Sequence, residues 1–414
     1  MSRELLTGNA AAAWGARLAD VDYVPAFPIT PQTEIIETLA RWYEGGEAPG
    51  RLVMLESEHS MVTAAAAAAA TGVRVFSATS SQGLLYAMEM IYAVPGWRAP
   101  FVLVNVSRAL ATPITLEPDH SDVLAARDSG FLQIHCATCQ EVLDSILIAY
   151  RLAEHARVRL PAIVNLDGFY LSFTREPVKI PAAAEARAFL PPFAPGEVAF
   201  RASKPVSRAV AALGSSPYSY FRYQAHLAAL EALGAYEEVA RDFERRFGRW
   251  HPAVECYRSE DAEVAFLMIG AFSTKARDAV DRLREKGVAA GLVRPRLLRP
   301  FPQAALRSAL LGRRAVAVVD QNLSMGSGGV LAGELASALY GCRGAPMIAR
   351  FVGGLGGRDI TAEEFEAMAT EARAAAETGE APAPRLLYTA AELREVRKLQ
   401  AIALAGPREA GGRS

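Results

Sequence analysis

The sequence predicts a doubly wound, mainly parallel α/β domain followed by a second α/β unit, on three observations. Helix-type and strand-type apolar spacings alternate from residue 1 to about 177. Strands such as "PFVLVNVS" (100–107) are unbroken apolar runs, the pattern of a sheet covered on both faces. The same alternation resumes at about 261 and continues to about 400.

Along the first domain, residues 1–177, the opening "MSRELLTGNAAAAWGARLAD" reads as a capped helix, with its apolar face over Ala10–Leu18. A short strand over Val21–Ala26 and a helix from Pro31 to the Gly45-Gly46 stop follow. "RLVMLE" (51–56) is a strand. The helix "EHSMVTAAAAAAATG" (58–72) carries seven alanines, which let a neighbour pack closely. "VRVFSAT" (73–79) is a strand, "SSQG" (80–83) a tight turn and "LLYAMEMIYAV" (84–94) a helix. After "PFVLVNVS" come the strand "FLQIHC" (131–136), the helix "QEVLDSILIAYRLAEHA" (140–156) and the strand "PAIVNLD" (161–167).

Residues 178–260 break the rhythm: a connector containing "LPPFAPG" leads into a long charged helix over 220–248. In the second unit, residues 261–400, strands are expected at 262–270, 288–296, 315–322 and 347–354, and helices at 273–287, 303–312 and 330–341. A helix running into a loop is expected over 366–385, and residues 401–414 form a tail.

Hydrophobic residues make up 51% and charged residues 21% of the 414, a globular composition. The formal net charge of −1 gives no electrostatic basis for nucleic acid as a partner. No signal peptide or membrane span is recognised, and the reading is a cytoplasmic chain. Four cysteines are too few for a disulfide framework. Cys136 and Cys139 form a CxxC, but a zinc site needs two further ligands, and Thr138 with Glu141 fits a helix capping box instead. "GSGGVL" and "GGLGGR" match neither GxGxxG nor a P-loop and are read as turns, which argues against a nucleotide-dependent dehydrogenase.

Ligands of open parallel sheets bind beyond the carboxyl ends of the strands, and three polar groups fall there. Thr30 follows the first strand, between Pro28 and Pro31; it reads as the cap of the next helix, whose free N–H groups would also attract a carboxylate. Glu58 follows "RLVMLE"; partly desolvated, it would hold and pass a proton, with Glu56 as the alternative and simple helix-start charge complementarity as the plainer role. Arg108 follows "PFVLVNVS"; it either grips a carboxylate ligand with two parallel hydrogen bonds or pairs with the chain's own Asp119 or Asp122.

"FPITPQTE", "ESEHSMVTA", "VFSATSSQGL", "NVSRAL" and "DHSD" together resemble the α subunit of pyruvate:ferredoxin oxidoreductase and its 2-oxoacid relatives. The resemblance continues through "FRYQ" (221–224), "RPRLLRPFP" (294–302) and "VVDQNLSMGSGG" (318–329), covering nearly the whole chain in order. It implies a thiamine diphosphate (pyrimidine-binding) first domain and a transketolase C-terminal-like second domain. The diphosphate, Mg²⁺ and an iron–sulfur cluster would belong to a β subunit, with γ and δ chains or domains completing the complex.

Residue by residue, the resemblance matches Glu58 to the glutamate on the cofactor's pyrimidine ring, Arg108 to the arginine that holds the substrate carboxylate, and Thr30 to a hydroxyl facing the substrate. Pro28, Ile29, Ser81 and Gln82 would pack near the cofactor, and no metal ligand is expected in this chain. The implied reaction turns pyruvate, coenzyme A and oxidised ferredoxin into acetyl-CoA, CO₂ and reduced ferredoxin. A branched 2-oxoacid, 2-oxoglutarate or an aryl glyoxylate are alternative substrates, and a non-catalytic partner-binding scaffold is an alternative role. Thr30 in place of a second arginine argues against a dicarboxylate such as oxalate. The segment departs from the family's usual YPITP at Phe27, which loses a hydroxyl, and "SRAVAALGSSPYSY" before "FRYQ" departs more widely.

Overall fold

The computed structural model describes residues 2–195, 199–207 and 211–404. In the first domain β1 (Ser2–Thr7), α1 (Gly8–Leu18), β2 (Tyr23–Ala26), α2 (Thr33–Glu44), β3 (Arg51–Met54) and α3 (Glu58–Thr71) lead to β4 (Phe76–Thr79). Then come α4 (Ser81–Tyr86), α5 (Met88–Trp97), β5 (Val102–Ser107), α6 (Ser121–Ala125), β6 (Leu132–His135), α7 (Cys139–Ala153) and β7 (Ala162–Asp167). β8 (Arg175–Ile180), α8 (Ala183–Phe189) and the 33-residue α9 (Ser215–Phe247) connect to the second domain.

The second domain holds β9 (Val254–Tyr257), β10 (Val264–Leu267), α10 (Ser273–Glu285), β11 (Ala290–Pro295), β12 (Leu297–Arg299), α11 (Gln303–Leu310) and β13 (Ala315–Asp320). It continues with α12 (Val330–Leu339), β14 (Met347–Val352), α13 (Ala362–Thr378), β15 (Arg385–Leu386) and α14 (Ala390–Leu404).

The first sheet has the order β12-β6-β7-β5-β4, and β2 joins beside β4 through a parallel Tyr23–Val75 bridge, with β3 beyond it. All of these pairings are parallel except that of β12, which the second domain lends antiparallel to β6. The second sheet runs β15-β14-β13-β10-β11-β9 and is parallel apart from the β9 edge. Parallel β2, β3, β4 and β5 send their carboxyl ends to one rim. As the alanine run predicted, α3 packs closely, burying Met61, Val62, Ala65, Ala66, Ala69 and Ala70.

Several local expectations are corrected. Ser2–Thr7 is a strand, not part of a helix, because it pairs antiparallel with Arg175–Ile180; α1 starts at Gly8, with the Thr7 hydroxyl accepting from the Ala10 N–H. The expected boundary at 177 falls inside β8. "SSQG" is not a turn: Ser80 precedes α4 and Ser81 begins it. The long helix starts at Ser215 rather than 220, while β9, β12, β15 and α14 were not anticipated. Of the expected tail at 401–414, residues 401–404 belong to α14 instead, and 405–414 lie outside the described residues, as does part of "SRAVAALGSSPYSY".

Candidate active site

Thr30 does not cap α2; that helix begins at Thr33, after Gln32. Residues 29–32 instead form a tight turn in which the Gln32 N–H donates to the Ile29 carbonyl at 3.0 Å. Two buried amides pin this turn. Asn9 Nδ2 donates to the Pro31 carbonyl at 2.9 Å and Gln32 Nε2 to the Phe27 carbonyl at 2.8 Å. Pro28 and Thr30 are therefore exposed on a braced backbone, with Ile29 half-buried between them and the Phe27 ring packed against the core.

Glu58 is the first residue of α3, behind a Ser57 cap whose hydroxyl accepts from the Ser60 N–H at 3.2 Å. It is only 5% exposed, and burial raises its pKa above the usual carboxylate range, partly opposed by a backbone hydrogen bond. Its side chain lies against Gly83 of α4: a Cβ there would stand 2.5 Å from Glu58 Oε1 and 2.7 Å from Thr79 Oγ1. Glu56 is different. It is exposed and hydrogen-bonded to the Ser60 and Ser57 hydroxyls, which lower its pKa. Of the two glutamates, Glu58 has the environment of a proton carrier.

Arg108 reaches across the rim from the end of β5. Its Nη1 donates to the Thr30 carbonyl at 2.8 Å and its Nη2 to Gln82 Oε1 at 3.0 Å, while Nε is buried without a partner. Burial lowers its pKa, opposed by the Asp122 charge. Among the described residues no carboxylate forms an ion pair with this guanidinium; Asp119 accepts from the Ser121 N–H instead. Arg108 thus forms no ion pair among the described residues, and Asp122 acts on it only through the field of its charge.

Asp122, a candidate partner for Arg108 by sequence, acts as a brace instead. Fully buried, its Oδ2 accepts from the Ser81 N–H (2.9 Å), Asn105 Nδ2 (3.1 Å) and the Arg108 N–H (3.3 Å). Its Oδ1 accepts from the Ser107 hydroxyl (2.8 Å) and the Val123 N–H (2.7 Å). One carboxylate therefore ties the start of α4 to the end of β5. Ser81 is held at a φ of +50°, which costs a non-glycine residue about 1 kcal/mol. Its hydroxyl approaches Gln82 Oε1 (2.6 Å) and the Ala109 carbonyl (3.1 Å). Within the sequence, "DHSD" was the signal for this brace, but no local rule says what a buried aspartate will hold.

The second domain closes against the same edge. His120 Nε2 and Asp167 Oδ1 are 2.8 Å apart, both 1% exposed, and Asp167 Oδ2 accepts from the Ala271 N–H at 2.8 Å. The His120 N–H donates to the Gln321 carbonyl at 2.8 Å. Burial opposes the charged imidazole, yet Asp167 raises its pKa. Further along the seam, Glu141 accepts from Arg294 (3.0 and 2.7 Å) and Arg296 (2.7 Å). Burial would raise the Glu141 pKa, but the two guanidiniums hold it far below the usual range.

The glycine-rich turn before α12 presents no free helix end. Asp320 accepts from the Leu331 and Ala332 N–H groups at 2.7 and 3.2 Å, so close that a Cβ on Gly329 would stand 2.0 Å from its Oδ2. Thr138 caps α7 as expected, accepting from the Glu141 N–H at 3.2 Å. Cys136 and Cys139 are buried and unbridged, and burial pushes the Cys136 thiol up to about 12. No group of three His, Cys, Asp or Glu among the described residues is arranged to hold a metal, and no helix there is long and apolar enough to cross a membrane.

Two α/β domains carry a buried carboxyl and a guanidinium without an ion pair among the described residues on one strand-end rim, and the first of them belongs to a thiamine-diphosphate-binding class. A solved 2-oxoglutarate:ferredoxin oxidoreductase from Magnetococcus marinus shares the fold, with a TM-score of 0.68 at 20% identity over 90% of this chain and 65% of that one. A split-gene transketolase shares it with a TM-score of 0.52 at 14% identity. Residues 14–243 match the thiamine-diphosphate-binding model of pyruvate flavodoxin/ferredoxin oxidoreductase, and residues 262–365 match core domain II of pyruvate:ferredoxin oxidoreductase. The chain is 40% identical to the pyruvate synthase subunit PorA of Methanothermobacter thermautotrophicus over 375 residues, 88% of this chain and 94% of that one. It is 38% identical to the ketoisovalerate oxidoreductase subunit VorA of Pyrococcus horikoshii, over 91% of this chain and 95% of that one. The chain belongs to the pyruvate flavodoxin/ferredoxin oxidoreductase family.

Proposed function

We propose that this chain is the α subunit of a cytoplasmic, multisubunit 2-oxoacid:ferredoxin oxidoreductase. Its reaction converts pyruvate, coenzyme A and oxidised ferredoxin to acetyl-CoA, CO₂ and reduced ferredoxin, reversibly. The observation that carries this reading is Arg108, a braced guanidinium without an acidic partner at the strand-end rim. Residues 1–177 would serve as the pyrimidine-side domain, 178–260 as the connector and 261–400 as the transketolase C-terminal-like domain.

The residues fit thiamine diphosphate. Glu58 has a buried carboxyl with no side-chain hydrogen-bond partner among the described residues, and the glycine beside it leaves space that a methyl group would fill. When bound, the cofactor supplies the activated carbon that attacks the 2-oxo group. Glu58 would hold and pass a proton at the pyrimidine ring nitrogen. Arg108 would bind the substrate carboxylate and Thr30 would offer its hydroxyl. Pro28, Ile29, Ser81 and Gln82 would form the wall around the ring. A β subunit would bring the diphosphate site, Mg²⁺ and an iron–sulfur cluster, with γ and δ chains or domains carrying electrons to ferredoxin.

The test is reconstitution with a β partner and an assay over a panel of 2-oxoacids with coenzyme A and a viologen acceptor. The isolated chain should be inactive and the assembled complex should prefer pyruvate. Arg108→Ala should reduce kcat/KM by an amount on the order of 2–5 kcal/mol, chiefly through KM. Full activity of the isolated chain, or an unaffected Arg108→Ala complex, would refute the proposal. The similarity to a VorA subunit favours 2-oxoisovalerate as the second substrate to try.

A further inference from the structure

We propose that Gln82 is a specificity-determining residue that recognises the 2-oxoacid head group together with Arg108, an inference that rests on the functional reading above. Its amide orientation follows from chemistry. Arg108 carries only donors, so the amide atom 3.0 Å from its Nη2 must be the oxygen. The Ser81 hydroxyl, 2.6 Å from that same atom, also finds an acceptor there. The Gln82 NH₂ therefore lies beside the guanidinium rather than facing it, and among the described residues it makes no hydrogen bond.

The arrangement is rigid. Gln82 is the second residue of α4, whose first residue is gripped through its N–H by Asp122, and Asp122 also grips the Arg108 N–H. The guanidinium is held at one end by the Thr30 carbonyl and at the other by Gln82. A charged donor and a neutral donor consequently stand side by side with their positions fixed before any ligand arrives.

A 2-oxoacid presents the matching pair of acceptors, a carboxylate oxygen and the adjacent oxo oxygen. The guanidinium takes the first and the Gln82 NH₂ the second. A ligand lacking either acceptor leaves one donor unanswered in a partly desolvated site, which is how polar sites discriminate between close analogues. Gln82 is thus assigned to the substrate side of the wall.

The experiment uses the assembled complex carrying Gln82→Met or Gln82→Glu. It measures the Kd of oxamate, a non-reacting pyruvate isostere, by calorimetry, alongside kcat and KM for pyruvate. Gln82→Met removes the donor and should weaken oxamate binding about three- to tenfold, the equivalent of one neutral hydrogen bond, with KM rising in parallel. Gln82→Glu should weaken both further, because its carboxylate pairs with Arg108 and repels the ligand. Unchanged oxamate Kd in both variants, or a fall in kcat with Kd and KM preserved, would overturn the assignment; the latter pattern marks a cofactor-side role. A wild-type complex that neither binds oxamate nor oxidises any 2-oxoacid overturns the functional reading and this assignment together, whereas wild-type binding with unaffected variants removes only the assignment.

Discussion

The Glu58 carboxylate rests against the α-carbon of Gly83, so that a methyl group on that carbon would stand 2.5 Å from Oε1. The contact links the helix after β3 to the helix after β4, and any side chain at position 83 has to push the Glu58 carboxylate and the Thr79 hydroxyl aside. Gly83→Ala should therefore displace the carboxylate and lower kcat by roughly 10²-fold, with partner assembly intact. Steady-state rates of the reconstituted complex, read beside a thermal melt, check this; a variant with wild-type kcat would show that the close packing has no catalytic consequence.

Glu58→Gln should separate activity from stability. Because burial raises the Glu58 pKa, the folded chain binds this proton more tightly than the unfolded chain. Its destabilising contribution is absent below the unfolded pKa, grows as pH rises towards the folded pKa, and is complete above it. The glutamine variant should melt higher than wild type at pH 7 and no higher near pH 4, while kcat falls by about 10² or more. Melting curves across that range, with rates at neutral pH, decide it.

Asp122→Ala strips the acceptor from three buried backbone N–H groups (Ser81, Arg108 and Val123), while Asn105 Nδ2 and the Ser107 hydroxyl keep Asn165 Oδ1. The expected loss is about 3 kcal/mol or more, visible as a lower urea midpoint. Asp122→Asn should recover only part of it, since its NH₂ can accept none of these bonds.

Glu141→Gln should loosen the join between the two domains. Arg294 and Arg296 are 1% and 2% exposed and also face Glu255, so losing the Glu141 carboxylate leaves two buried guanidiniums sharing one carboxylate, at a cost of about 3 kcal/mol. In wild type this contribution is present above the unfolded pKa of Glu141 and is lost only as pH falls through its strongly depressed folded pKa. The variant should be less stable at neutral pH and should lack that acid-dependent loss. Thermal melts from neutral to strongly acidic pH measure both effects.

What the sequence made legible follows from which interactions are local. The apolar runs and helix spacings located the parallel strands, and from their carboxyl ends Thr30, Glu58 and Arg108 could be placed on one rim. Thr30 as a helix cap failed because Asn9 and Gln32 hold the preceding turn through bonds that start outside the segment or point back along it. "SRELLT" looks helical by itself and is a strand only because Arg175–Ile180 lies beside it. The choice between Glu58 and Glu56 required knowing that one faces Gly83 and the other water. Asp122 was visible as an acid near Arg108, but a brace is defined by what converges on it, and Ser81, Asn105 and Ser107 converge only in three dimensions.

The strand Leu297–Arg299 lies at the end of the first domain's sheet, against Ile134 and Gln133, although it belongs to the chain of the second. This buckle makes the two halves a poor unit for cutting or shuffling. A fragment ending near residue 260 would bare the backbone edge of Leu132–His135, and such an unpaired edge invites aggregation. Any recombination of this subunit with a relative has to carry both sides of the buckle from one parent.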